Sequence, residues 1–197
     1  MNLNNEEGTL VISLDFEMRW GLIESTKSFQ EYKKNILGVN KAVDGILDIF
    51  NKHEIHATWA FVGSILCDDY TDFIDTANGN ITQYNSGVDS PFSISKDIYD
   101  IEKEQFFNKD LVNKIDKSLN QELASHTFSH LFLKEKGVSY NNFLLDNNSF
   151  NEICKRNKIN NIKTIIFPRN QINFIEHFNK TNLKIYRGNQ SDWYFNV

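Results

Sequence analysis

The order in which two hydrophobic periods succeed one another constrains this chain most. Short apolar, strand-like runs occupy residues 9–16, 55–62, 122–125, 162–167 and 183–186. Between the first two, Ile36, Val39, Val43, Ile46, Leu47 and Phe50 recur at helical spacing. Before the third, Phe107, Leu111, Ile115 and Leu119 do the same. Weaker helical patterns cover 140–156 and 171–179. Strand and helix alternating in this way predict an α/β fold with a parallel sheet, because parallel neighbours must be joined by a crossover. In such folds the site lies at the carboxyl ends of the strands. The 197 residues, 40 % hydrophobic and 24 % charged, suit one domain over 1–197 with a real core.

Charge and composition narrow the classes. A net charge of -5 disfavours broad electrostatic binding to nucleic acid. No run approaches the ~18–20 apolar residues of a membrane span. The first eight residues, Met1 to Gly8, have neither the basic nor the apolar region of a secretory signal, so a cytoplasmic location is expected. Cys67 and Cys154 are far apart and outside any C-x-x-C motif, which predicts reduced, structural thiols.

Two motifs carry chemistry. Asp15-Phe16-Glu17 ends the first run, and residues two apart in a strand share a face. Ser125-His126-Thr127-Phe128-Ser129-His130 follows the third run, and its imidazoles at i and i+4 would share one side of a helical turn. Pro168-Arg169-Asn170 follows the fourth run at the same end. A carboxylate with two histidines is a ligand set for a divalent metal, and a second carboxylate beside it can serve as base to an activated water. Glu17, His126 and His130 are the expected ligands and Asp15 the expected base. The plainer alternatives are a salt bridge from Glu17 to Arg19 or Arg169 and a structural histidine pair; convergence at one end of the sheet favours the metal. The donor set suits zinc, with cobalt, nickel or manganese open. The reading is a hydrolase.

These residues resemble the polysaccharide deacetylase family, the NodB-homology carbohydrate esterases. Glu122-Leu123-Ala124 followed by Ser-His-Thr-Phe-Ser-His is similar to its second motif, and Ala57 to Gly63 to its second strand. Asp15-Phe16-Glu17 resembles the first motif in a spaced form, and Phe167-Pro168-Arg169-Asn170 a variant third motif of deacetylases from surface-polysaccharide clusters. The resemblance implies a distorted (β/α)7 TIM-like barrel and a metal-dependent hydrolase that removes N-acetyl groups from an amino sugar. A lipid- or nucleotide-linked glycan precursor fits the absence of an export signal. It implies Asp15 as base, Arg169 holding Asp15 by a charge-assisted hydrogen bond, and substrate contacts from Trp20, Pro168, Asn170 and Trp193.

The chain also departs from that family. Five strands are read rather than seven, and no histidine follows His177, so the proton donor for the leaving amine is missing. A domain incomplete at its carboxyl end is expected, with exposed sheet edges that invite self-association and with poor turnover. The alternatives are hydrolysis of another amide or ureide bond at the same site, or a catalytically impaired carbohydrate-binding homologue. The polar stretch 67–100 reads as a long loop whose Tyr70, Phe73, Tyr84 and Phe92 either pack it down or stack on a sugar ring.

Overall fold

A computed structural model describes residues 8–23 and 26–189, without the side chains of 26–30. Its five strands are β1 (Ser13–Phe16), β2 (Ala57–Phe61), β3 (Gln121–Ser125), β4 (Thr164–Ile165) and β5 (Ile185–Tyr186). They form one sheet in chain order, every neighbouring pair parallel. The helices are α1 (Thr26–Leu37), α2 (Val39–Lys52), α3 (Tyr70–Ala77), α4 (Lys96–Ile101), α5 (Lys103–Phe106), α6 (Lys109–Asp116) and α7 (Tyr140–Arg156). No helix is long and apolar enough to cross a membrane among the described residues. No ladder joins β1 to β5, so the described residues form an open five-stranded sheet and not a closed seven-stranded barrel.

The strands are shorter than their apolar runs. Ser13 lies opposite Thr58, which would place residue 11 opposite His56. There the chain is still turning out of α2 through Glu54 at φ 53°. Leu10 and Val11 therefore lie exposed ahead of the ladder. Side-chain alternation then divides the sheet. Phe16, Trp59, Phe61 and Leu123 point into the main core, with Val43 and Leu47 of α2 and Leu111, Val112 and Ile115 of α6. The opposite face carries Asp15, Ala60 and Ala124 in one register row, and Ser13, Thr58 and Glu122 in the row before it. The two alanines beside Asp15 are buried in a small cluster with Ile166.

Stretch 67–100 is not the loop its polarity suggests. Asp69 caps α3 by accepting the Asp72 N–H at 3.0 Å, and Asn78 ends that helix in the left-handed region. Phe73 is the anchor: it stacks on Phe92 at 5.0 Å and on Phe128 at 5.7 Å, and is fully buried. Tyr70 meets Tyr99, and Tyr84 stacks on Phe132 while its hydroxyl accepts the Phe132 N–H at 3.1 Å. The four aromatics pack the segment down. Cys67 and Cys154 are buried, free thiols. Stretch 171–179, predicted as an α-helix, carries instead a 3-10 turn at Ile175–Lys180.

Candidate metal centre

Three residues meet above the carboxyl ends of β1 and β3. One carboxylate oxygen of Glu17 lies 3.3 Å from His126 Nε2 and the other 3.4 Å from His130 Nε2. The three donor atoms lie within 4.8 Å of one another. Neither Nε2 has a hydrogen-bond partner among the described residues, although both are buried. Buried polar atoms are seldom left orphaned. His126 Nδ1 donates to the Ile166 carbonyl at 2.7 Å, which orients the ring and turns Nε2 to Glu17. Burial drives His130 toward its neutral form. Burial alone would raise the Glu17 carboxyl, but the two imidazoles against it hold it well below the usual carboxylate range. A divalent cation would take the imidazoles neutral and the carboxylate ionised, and three convergent donor atoms with two buried, unpartnered Nε2 atoms fit such an ion.

The local backbone explains the convergence. The two histidines do not ride on a helical turn: 126–130 is a bent loop with Thr127 at φ 64° and His130 at φ 57°. Met18, Arg169 and Asn170 are also left-handed. Such strain costs ~1–3 kcal/mol per residue and gathers at functional sites. Here five such residues follow β1, β3 and β4. Gly63 permits the loop's approach, since a Cβ there would lie 2.7 Å from the Phe150 ring and 3.2 Å from Phe128 Cα. The Gly63 N–H bonds the Thr127 carbonyl at 2.9 Å.

Gly21 plays a different part. A Cβ at that position would lie 1.8 Å from Glu17 Oε2, so any side chain must push the carboxylate aside. The obstacle is the end of a flexible side chain. Gly21→Ala should therefore stay within ~0.5 kcal/mol of wild-type stability yet weaken Zn2+ binding ~10–100-fold. Titration against a competing chelator, beside a thermal melt, checks both halves.

Asp15 stands at the end of β1, its side chain 31 % exposed. Its partner is not the expected Arg169. Arg187, directly after β5, donates Nη1 to Oδ1 at 2.8 Å and Nη2 to Oδ2 at 3.0 Å, a bidentate grip across the open rim of the sheet. The same guanidinium reaches Asn170 Oδ1 at 2.9 Å, which makes Asn170 a support for Arg187. The left-handed backbone at Arg169 sends its side chain elsewhere: its guanidinium lies 4.3 Å from the Phe132 ring centroid and 3.9 Å from Glu135. Phe132 in turn sets its ring against the edge of His130, so Arg169 braces the histidine side of the site.

The other expected positions divide. Trp20 offers no surface to a substrate: it is fully buried, packed on Phe73, Tyr99 and Phe106, with Nε1 donating to the Phe106 carbonyl at 2.8 Å. Its place after the motif put it near the site in sequence, but the 3-10 turn Met18–Leu22 rotates it into the core. Pro168 is likewise buried. Trp193 lies outside the described residues. Arg19 pairs with Glu102 at 3.0 Å, so the Arg19–Glu17 alternative does not form. His177 packs against Tyr140 with the rings tilted and their centroids 4.1 Å apart. A hollow of about 360 Å³ opens beside Asp15 and Glu17, flanked by Leu22, Tyr32 and Ile36.

Neither a protein-family model nor a curated protein matches the sequence. Among solved structures, the chain is similar to BA3943, a CE4 family pseudoenzyme from Bacillus anthracis, at 12 % identity and a TM-score of 0.43, over 89 % of this chain and 42 % of that one. It is also similar to a mutant of that pseudoenzyme with restored enzymatic activity, at 12 % identity and a TM-score of 0.40, over 90 % of this chain and 44 % of that one. A third is the Xyl-CE4 domain of a multidomain xylanase from the hindgut metagenome of Trinervitermes trinervoides, at 13 % identity and a TM-score of 0.42, over 91 % and 58 %. CE4 is the polysaccharide deacetylase family. The chain thus spans between 42 % and 58 % of the length of these chains.

Proposed function

We propose that this chain is a metal-dependent hydrolase that removes N-acetyl groups from an amino sugar, with Glu17, His126 and His130 as metal ligands and Asp15 as base. The observation that carries the reading is the pair of orphaned, buried Nε2 atoms turned on one ionised carboxylate, with a second carboxylate at the end of the same strand. The motif resemblance to polysaccharide deacetylases supplies the substrate class. On this reading the single domain is of the deacetylase barrel type. It acts in the cytoplasm on a lipid- or nucleotide-linked N-acetylated sugar, and its open sheet edges favour self-association.

When bound, the ion, with zinc favoured, supplies a Lewis acid that polarises the acetamide carbonyl and lowers the pKa of water. The residues of the chain do the rest. Asp15, gripped by Arg187, takes a proton from the attacking water on one carboxylate oxygen as the oxygen–carbon bond forms. When the C–N bond breaks, the departing nitrogen takes a proton and leaves as the amine, with acetate as the other product. His177 is held against Tyr140, and protonated Asp15 is the donor at hand. One group serving in both directions makes for slow turnover, since separate acid–base help contributes ~10²–10⁴-fold.

Acetate release from N-acetylglucosamine oligomers by Zn2+- or Co2+-loaded protein tests the proposal. Slow release is expected, stopped by a chelator and restored by metal. Loaded protein that binds these sugars without releasing acetate would point to a carbohydrate-binding role.

A further inference from the structure

Beneath the His126–His130 loop lies a carboxylate that the proposed chemistry does not use. Asp146 sits on the buried face of α7 and is 1 % exposed. Its Oδ1 accepts the Phe128 N–H at 2.6 Å; its Oδ2 accepts the Ser129 N–H at 3.0 Å and the Ser129 hydroxyl at 2.5 Å. All three donors are neutral. Burial pushes the carboxyl up to about 6, and these donors oppose the rise. Holding a charge-bearing group in such a place is unfavourable unless its two all-acceptor oxygens are needed there. An amide of the same shape would turn an N–H donor toward donors of the loop.

What the carboxylate holds is the tip of the loop between the two histidines. The tip's carbonyls are fixed from the other side, where Ser64 donates both its N–H, at 3.0 Å, and its hydroxyl, at 2.6 Å, to the Phe128 carbonyl. The tip's N–H groups are fixed by Asp146. Thr127 and His130, which bracket the tip, both hold the left-handed conformation that brings His130 back over Glu17.

We infer that Asp146 is a positioning residue of the metal centre: by clamping the N–H groups of Phe128 and Ser129 it fixes the turn that converges His126 and His130 on Glu17. The inference rests on the metal reading of those three residues.

Titration of the apo protein with Co2+, followed by visible absorption and paired with thermal melts, decides it. Wild type should take up one Co2+ per chain. Asp146→Asn should bind ~10–100-fold more weakly, the range for outer-shell changes, with altered d–d bands. Ser149→Ala is the control, since Ser149 lies on the same helix and its hydroxyl bonds the Thr76 carbonyl at 2.8 Å. It should lower the melting point yet leave Co2+ affinity and spectrum unchanged. Should Asp146→Asn not fold, Ser129→Ala removes one of the three bonds and should still weaken Co2+ binding several-fold. Wild-type affinity and bands in Asp146→Asn or in Ser129→Ala would overturn the inference, as would equal weakening in Ser149→Ala. Wild type that takes up no Co2+ would instead overturn the metal reading, and this inference with it.

Discussion

Replacing either histidine should abolish stoichiometric metal binding. His126→Ala and His130→Ala each leave Glu17 with a single imidazole, and a divalent ion with two protein ligands is held weakly against water. The loss should far exceed the ~10–100-fold expected of an outer-shell change. His126 is fully buried and its Nδ1 bonds the Ile166 carbonyl, so His126→Ala also opens a cavity between β3 and β4. His130→Ala should cost less stability, since that ring touches the rim through Phe132. Metal analysis of purified protein, with isothermal titration of the apo form, measures the first effect. Full metal content in both variants would remove the site assignment.

The second large effect concerns Asp15. Asp15→Asn should keep the metal, since Asp15 is outside the three-donor cluster, and should lose ~10²–10⁴-fold in turnover because an amide cannot take the proton. The two arginines near the site then separate cleanly. Arg187→Ala removes both bonds that orient Asp15 and should lower kcat with little change in metal affinity. Arg187→Lys should recover only part, because an ammonium cannot reproduce the two-pronged fork. Arg169→Ala should act through Phe132 and His130, and so appear in metal affinity before it appears in kcat. The reverse pattern would return Arg169 to the role that the sequence motif suggested for it.

Much of this arrangement was legible in the chain. The alternation of periods yields the parallel sheet, and the places of Asp15, Glu17 and His126 at strand ends follow from the apolar runs. Helix 140–156 matched to the residue because Ser139 and Asn142 close a reciprocal cap, each bonding the other's N–H. That helix looked weakly amphipathic because Asp146, Asn147 and Ser149 occupy its buried face. Of these three, Asp146 holds the histidine loop, an instance of local rules failing where a site is built. Arg187 carries no sequence signal for a related reason. It follows a strand of two residues, too short to carry a period, whereas Arg169 sat inside a conspicuous motif. Trp20 was misplaced because one left-handed residue, Met18, redirects everything after it. No periodicity reports such a turn.

The Asp15–Arg187 pair also has a kinetic meaning. It joins residues 172 positions apart, across two strands that share no ladder. Closing so long a loop is entropically costly, and contacts of that separation are gained late in folding. The histidine loop is pinned by Gly63, Ser64 and Asp146, all within 85 residues of one another. It can form with the central strands, so the histidine pair rests on contacts of shorter range than the pair that orients Asp15. Placing the histidines and orienting Asp15 thus draw on different ranges of contact, and the second depends on the docking of β5, one of the two two-residue strands of the sheet.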